Sequence, residues 1–273
     1  MKGASAADIL ARISAVRAQA SQYVTNLFAT PERLEQWVQW YPVEEAYAGE
    51  GALVVLKEDR GIQHLYYAAA SPEDLGAALD EGHLPEGPIV ADIVGREPDV
   101  EAQRAVFAQR GFQSYEELRR MARVAKDAWT LAPDEIEDVA LAEAGDVEAI
   151  AAALDGSLDK LSEQIPTRGE IAAAVETGNI LVVRAGDDLA GLLFHETSGR
   201  TSVLRHWLVM PAYRGQGVGA RLMHRYFADG AGVSRFLLWV IAANENAIKR
   251  YKHYDYDWDG LVDHVMVRGG DAS

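Results

Sequence analysis

The chain of 273 residues contains no cysteine, which excludes disulfide bonds, thiolate metal sites and cysteine nucleophiles together. It also lacks any run of about 18 uninterrupted apolar residues, so nothing in it is typical of a membrane span. The first residues, from Met1 to Leu10, include Lys2 and Asp8, and no apolar segment of an export signal follows them. We therefore expect a cytoplasmic protein with no membrane partner.

Basic residues are scarce compared with acidic ones. Lysine and arginine number 26 against 42 aspartate and glutamate residues, which gives a formal net charge of −16. A general nucleic-acid binder needs a basic face that replaces phosphate counterions, so the charge argues against a polynucleotide partner. The hydrophobic fraction of 49% is that of a globular protein, and the length suits one large domain or two ordinary ones.

The N-terminal half begins with apolar residues at three-to-four spacing over about residues 6–28, which predicts a packing helix within residues 1–30. Strands and helices then alternate, and Ser71-Pro72 has the pattern of a helix start. The pattern breaks near residue 130, where we place a domain boundary. The predicted domains are residues 1–30, 31–130 and 131–273.

The C-terminal half predicts an α/β (α+β) domain around one sheet, because strands and helices follow each other in mixed order. A capping box, Thr167 with Glu170, predicts the start of its second helix. The predicted strands are 137–142, 179–184, 189–196, 201–210, 236–242 and 261–267, and the predicted helices are 146–154, 167–176, 217–228 and 246–254.

One apolar strand ends at Pro211 and leads into a turn with three glycines on alternate positions, residues 214–220, which opens directly into a helix. We call residues 214–220 the glycine turn. Glycines let backbone N–H groups approach an anion, and a helix N-terminus adds partial positive charge. Arg214 adds a formal charge. The pattern therefore predicts a site for a sugar-pyrophosphate ligand.

Two other interpretations of the glycine turn stay open. Gly215, Gly217 and Ala220 also match the dinucleotide fingerprint G-x-G-x-x-G/A, although the next predicted strand ends without an acidic residue for a ribose. The turn could also lack a ligand altogether. A P-loop is excluded, because no Gly-Lys-Ser/Thr follows the glycines.

Two motifs resemble those of the GNAT superfamily of N-acyltransferases. The run Val209-x-Pro211-x-x-Arg214-Gly-Gln-Gly-Val-Gly219 is similar to the pyrophosphate-binding motif of that family. A second run, Asn244-x-x-Ala247-Ile-x-x-Tyr251 after a strand, is similar to its later motif. The resemblance covers the C-terminal half and implies a mixed, mostly antiparallel sheet flanked by helices.

This resemblance also implies a ligand and a reaction. Acetyl-CoA, or another acyl-CoA, would be bound by the strand end and the glycine turn, and Asn244 would hold the pantetheine arm, although Asn244 equally suits a helix N-cap. The implied reaction is acetyl transfer to a small amine by direct aminolysis. The implied cofactor-binding residues are Leu208, Val209, Arg214, Gly215, Gln216, Gly217, Val218, Gly219, Ala220, Asn244 and Ala247.

Tyr251 is the implied general acid, because a phenol hydroxyl near the thioester sulfur can protonate the departing thiolate. The alternative is an ordinary residue of an amphipathic helix. If turnover has been lost, the chain would be a non-catalytic acyl-CoA-binding sensor or interaction module.

His206 is the predicted general base, since it is a titratable residue in an apolar strand directly before the glycine turn. The alternative is a histidine of the core, Asp263 and His264 are weaker candidates, and a water chain could also serve. Some family members carry a glutamate base at the position of Trp239, so that base is absent here.

By the same resemblance, residues 158–167 border the acceptor pocket. The histidines have no metal-ligand spacing.

Residues 89–112 look like a weakened copy of the later motif, with Phe107 at the position that corresponds to Tyr251. No Arg-x-x-Gly-x-Gly turn occurs before residue 130. We interpret residues 31–130 as a degenerate GNAT-like domain, so that the two halves form a tandem. An unrelated α/β domain is the alternative.

Overall fold

The structure, a computed structural model, describes residues 2–125 and 136–269. The chain divides into two compact units, unit 1 with Met1–Arg119 and Gly260–Ser273 and unit 2 with Arg120–Asp259. The predicted boundary near residue 130 lies outside the described residues. The division also differs from the prediction at the C-terminus, because the end of the last strand pairs with a strand of unit 1.

The described residues form thirteen strands and eight α-helices, and within them no helix is long and apolar enough to cross a membrane. The elements in chain order are β1 (Lys2–Gly3), α1 (Ala6–Ala18), β2 (Val24–Thr25), α2 (Pro31–Trp40), β3 (Val43–Ala48), β4 (Ala52–Asp59), β5 (Ile62–Ala69), α3 (Pro72–Ala78), β6 (Ile89–Gly95), α4 (Glu97–Ala108), β7 (Gln113–Val124), β8 (Val139–Leu141), α5 (Val147–Ser157), α6 (Arg168–Glu176), β9 (Ile180–Ala185), β10 (Asp188–Ser198), β11 (Thr201–Val209), α7 (Val218–Asp229), β12 (Arg235–Ile241), α8 (Glu245–His253) and β13 (Asp257–Arg268).

The predicted N-terminal helix over residues 6–28 is wrong in its second half. Helix α1 ends at Ala18, and Val24–Thr25 form β2, which pairs antiparallel with Ala68 and Ala69 of β5. Apolar residues at this spacing suit either a helix or a short strand, and pairing with β5 decides between them.

In unit 1, strands β3, β4 and β5 are antiparallel, whereas β5 and β6 are parallel. Among the described residues, β5 and β6 pair at Gln63–His64 with Ile89–Val90 and nowhere else. Beyond that point the buried Asn26 side chain joins the two strands. Its Nδ2 donates to the Leu65 and Asp92 carbonyl oxygens at 2.9 Å each, and its Oδ1 accepts from the Tyr67 N–H at 2.7 Å. One side chain thus replaces the missing part of the ladder.

Unit 2 confirms the predicted fold class. Its strands β8, β9, β10 and β11 are antiparallel neighbours, and β12 adds to β11 in parallel. Helices α5 and α6 pack on one face of this sheet, where Ile150, Leu154 and Ile171 share a core with Phe194. Helix α7 packs on the other face with Phe236. The predicted capping box of Thr167 and Glu170 is present at the start of α6.

We expect Asn26→Ala to lower the free energy of unfolding by about 2 kcal/mol or more, because it leaves buried backbone groups of β5 and β6 without a partner. Chemical denaturation measures this directly. The matched control is Gln39→Ala, which removes an exposed amide from α2 and should leave stability unchanged. Equal stabilities of the two variants would show that Asn26 does not join the strands.

Candidate active site

A β-bulge interrupts β11 beside β10. Phe194 pairs with His206 and His195 pairs with Leu204, so Arg205 is an extra residue. The parallel pairing of β11 with β12 stops at the same level, with Leu204 opposite Leu238. Beyond it, in the part of the chain that the structure describes, the two strands run on to their ends without pairing. A gap therefore opens between them, edged by backbone groups that an extended ligand can bind.

The bulge also determines which side chains face which helices. Leu204 belongs to the core under α7, and side chains alternate again after the extra residue. Trp207 and Val209 consequently pack on the side of α7 and α8. Leu208 packs against the core formed with α5 and α6, and the His206 ring lies against Phe194 of that core.

The glycine turn lies at the end of β11, where Gly217 has a φ of 76° and is the N-cap of α7. Within the described residues, the backbone N–H groups of residues 215–220 have no hydrogen-bond acceptor. A Cβ at Gly215 would meet nothing within 4 Å, so the turn is open to a ligand. Free N–H groups at a helix N-terminus fit a phosphate, and the residues present therefore suit the diphosphate of coenzyme A.

Two arginines hold the glycine turn in place. Arg214 donates from Nε to the Val209 carbonyl oxygen at 3.3 Å. Arg221 donates to the Gln216 carbonyl oxygen at 2.9 Å and forms an ion pair with Asp138 at 2.9 Å. Arg221 was not among the residues predicted from the sequence, although a basic residue one helical turn after Gly217 was an available signal.

Tyr251 lies on α8 with its ring centroid 5.7 Å from that of Trp207. Burial raises the pKa of its hydroxyl, the Glu163 carboxylate raises it further, and Arg250 opposes the rise. The hydroxyl is therefore protonated at neutral pH. Among the described residues, none forms a hydrogen bond with this hydroxyl, which leaves it available to a ligand.

Asn244 is the N-cap of α8, and its Oδ1 accepts a hydrogen bond from the Ala247 N–H at 3.1 Å. The capping interpretation of Asn244 is thus what the structure shows. Asn244 and Ala247 stand together at the start of the helix that carries Tyr251, and their contact with a pantetheine arm stays a prediction.

His206 is 9% exposed and lies on the α5 and α6 side of β11, whereas Trp207 and Tyr251 lie on the other. Burial and the neighbouring Arg205 lower the pKa of His206 to about 3, and a hydrogen bond to the Gln164 backbone only partly offsets this. The ring is neutral at physiological pH and a weak proton acceptor. The structure therefore does not favour His206 as the general base.

The two weaker base candidates lie in the range of β13 that belongs to unit 1. There the His264 ring stands 3.3 Å from Glu97, and Asp263 is a buried carboxyl whose pKa is raised by burial and by Asp92. Neither is among the residues of unit 2 that surround Tyr251.

Glu163, in the loop between α5 and α6 (residues 158–167), is a titratable group that the sequence analysis did not select. Its Oε2 accepts a hydrogen bond from the Asp159 N–H at 2.8 Å, and burial and Asp159 raise its pKa. In sequence it stands among charges of both signs, which hid it. Its effect on the pKa of Tyr251 requires the folded chain.

Unit 1 has no comparable open features at the matching positions. Helix α3, which follows β5, starts at Ser71, whose hydroxyl accepts from the Asp74 N–H at 3.1 Å, and its first turn carries Glu73 and Asp74. These carboxylates stand where an anion would bind. Phe107, which the sequence pattern predicts to correspond to Tyr251, is fully buried with its ring 5.0 Å from Phe112.

Comparison with known proteins gives a match to the acetyltransferase (GNAT) family over residues 150–256. Mouse thialysine N-epsilon-acetyltransferase is 33% identical over 94 residues, which are 34% of this chain and 51% of the relative. The chain thus spans about half the length of that curated relative.

Two solved structures share the fold along nearly the whole chain. A GCN5-related N-acetyltransferase from Sphaerobacter thermophilus superposes with a TM-score of 0.62 at 16% identity, covering 98% of this chain and 94% of that one. A tandem GNAT protein from the clavulanic acid biosynthesis pathway superposes with a TM-score of 0.61 at 10% identity, covering 98% and 95%. The glycine turn and Tyr251 both lie inside the segment, residues 150–256, that matches the acetyltransferase (GNAT) family.

Proposed function

We propose that unit 2 transfers an acetyl group from acetyl-CoA, or the acyl group of another acyl-CoA, to the primary amine of a small molecule by direct aminolysis of the thioester. The observation that carries this proposal is the row of free backbone N–H groups at residues 215–220. A short turn separates this row from the end of β11, and Tyr251 contacts Trp207 of that strand beside the gap.

The donor would be held mainly by backbone groups. The N–H groups of the glycine turn would bind the diphosphate, with Arg214 beside it. The pantetheine arm would lie in the gap like an added strand, past Leu208 and Val209 and near Asn244 and Ala247. A backbone N–H near Val209 would donate to the thioester oxygen as its charge increases.

Tyr251 would protonate the sulfur as the C–S bond breaks. Its raised pKa keeps the hydroxyl protonated in the resting site, so a proton is present when the C–S bond breaks. The same rise makes this phenol a weaker acid than an exposed tyrosine, so its contribution would depend on its position beside the sulfur.

The acceptor class follows from the relative and from charge. The name of the mouse relative specifies acetylation at the Nε amine of thialysine, and we propose a small primary amine of this kind for the present chain. The net charge of −16 favours the approach of a protonated amine and disfavours a nucleic acid. Unit 1 would be a degenerate GNAT-like domain without a donor site.

Replacing Tyr251 tests the general acid. We expect Tyr251→Phe to lower kcat by about 10²-fold or more, because the thiolate loses its proton donor, while the Kd for acetyl-CoA stays unchanged. Free thiol release across a panel of primary amines measures kcat, and calorimetry measures the Kd. Tyr254→Phe, which removes a hydroxyl from the end of the same helix, is the matched control.

Two outcomes of that experiment contradict the proposal. Full activity of Tyr251→Phe would show that the hydroxyl is not the acid. Tight binding of acetyl-CoA by the wild-type protein without thiol release for any amine would indicate the acyl-CoA-binding module instead.

Replacing Gly217 tests the diphosphate site. Gly217→Ala forces a Cβ onto a residue with a φ of 76° and within 3.1 Å of the Arg221 guanidinium, so the turn must shift. We expect the affinity for CoA to fall about tenfold or more. Gly186→Ala is the matched control, because Gly186 has a similar φ of 64° and a Cβ there meets nothing within 4 Å. This variant should be less stable but should keep its affinity for CoA. Equal CoA affinities of the two variants would refute the site.

A further inference from the structure

Direct aminolysis needs a group that takes a proton from the incoming ammonium, and neither β11 nor β12, the strands that border the gap, carries a carboxylate. Trp239 stands on β12 at the position where a carboxylate would serve, and the buried His206 is a weak proton acceptor. We infer that Glu163 binds the ammonium group of the acceptor and takes its proton, as the general base of the acetyl transfer proposed above, on which this inference rests.

The loop between α5 and α6 contains two carboxylates with different surroundings. The Asp159 carboxylate bonds to backbone groups of the turn, whereas the Glu163 carboxylate keeps one oxygen available. The Asp159 carboxylate accepts hydrogen bonds from the N–H groups of Leu161 and Ser162 at 3.0 and 2.8 Å, so it closes the turn. Glu163 receives a hydrogen bond from the Asp159 N–H on Oε2. Its Oε1 forms no hydrogen bond with any described residue and is available to an ammonium group.

The loop is fixed to β11 at the bulge. The Gln164 side-chain oxygen lies 3.4 Å from the Arg205 guanidinium, and the Gln164 backbone forms a hydrogen bond with the His206 ring. These contacts place the loop on the α5 and α6 side of the strand. Glu163 therefore approaches the end of the β11–β12 ladder from the side opposite to Tyr251.

Glu163 and Tyr251 nevertheless lie close enough that the carboxylate raises the pKa of the phenol. Two groups on opposite sides of a paired sheet would be separated by the strands, but here the ladder has ended at Leu204. The gap between β11 and β12 thus connects the two sides. A thioester in the gap would have the acid on one side and the base on the other.

The surroundings of Glu163 suit an ammonium ligand. The charged neighbour that shifts its pKa is Asp159, which raises it together with burial, while the hydrogen bond from the Asp159 backbone opposes the rise. From α8, the Tyr251 hydroxyl, which is neutral at physiological pH, interacts electrostatically with the Glu163 carboxylate. A half-buried carboxylate with a raised pKa is a stronger proton acceptor than an exposed one.

The proposed transfer removes two protons from the acceptor nitrogen. The acceptor arrives as R–NH₃⁺ and gives one proton to the Glu163 carboxylate, which frees the nitrogen lone pair to attack the thioester carbon. The C–N bond forms, the C–S bond breaks, and the sulfur takes the Tyr251 proton. The second nitrogen proton returns to the Tyr251 oxygen, and Glu163 releases its proton to water. One acetyl transfer thus yields the amide, free CoA and one proton.

The test uses the full-length chain with Glu163→Gln, which keeps an oxygen for the Asp159 N–H, and with Glu176→Gln as the matched control on the exposed end of α6. In the wild type, kcat/KM for the amine should fall as the pH drops through the raised pKa of Glu163, because the protonated carboxyl takes no proton. Glu163→Gln should lower kcat/KM by about 10² to 10⁴-fold and abolish that acid-side fall. The Kd for acetyl-CoA should not change.

A second readout separates proton removal from loop structure. Amines with a low pKa, already neutral at the assay pH, need no base, so the loss in Glu163→Gln should be much smaller for them. Glu163→Asp should recover part of the activity. An equal loss for neutral and protonated amines would overturn the inference.

The remaining outcomes distinguish this inference from the proposed function. If Glu163→Gln keeps the wild-type kcat/KM and its fall at low pH, the role of Glu163 alone is overturned. Loss of the acid-side fall in His206→Ala instead would assign the base to His206. No thiol release by the wild-type protein with any primary amine would overturn the proposed function, and this inference with it.

Discussion

The site depends on the place where two parallel strands stop pairing. The extra residue Arg205 turns β11 away from its neighbour, and the ladder with β12 ends at Leu204 and Leu238. Backbone N–H and C=O groups beyond that point need hydrogen-bond partners from outside the sheet. A ligand with its own amide groups satisfies them, whereas a purely apolar ligand does not. The unpaired backbone beyond the bulge therefore favours a donor that has amide groups, whichever side chains surround it.

Unit 1 meets the same constraint in another way. Its parallel strands β5 and β6 also separate after two paired residues, but the Asn26 side chain bonds to both of them. The helix that follows β5 is capped by Ser71 and carries carboxylates in its first turn. The gap and the helix N-terminus are both occupied by the chain itself. The same order of strands and helices thus gives an open site in one unit and a self-contained core in the other.

Local patterns in the sequence were enough to predict the glycine turn, the capping box at Thr167 and the mixed fold. Each of these depends on residues that are neighbours along the chain. The end of α1 was predicted wrongly because β2 exists only through pairing with β5, more than forty residues away. The low pKa of His206 and the position of Glu163 also depend on contacts between distant segments. Spacing along the sequence carries no information about such contacts.

In the proposed reaction, donor and acceptor would be recognised by different parts of unit 2. Backbone groups of β11 and the glycine turn suit the donor, and these change little when side chains are substituted. The acceptor would meet side chains of the loop between α5 and α6, which can vary without disturbing the sheet. If the base stands in that same loop, one segment determines both which amine binds and where its proton goes. Since β12 has Trp239 and no carboxylate, the proposed base lies outside the strands. Substitutions in this loop would then alter which amine is accepted and leave the donor site unchanged.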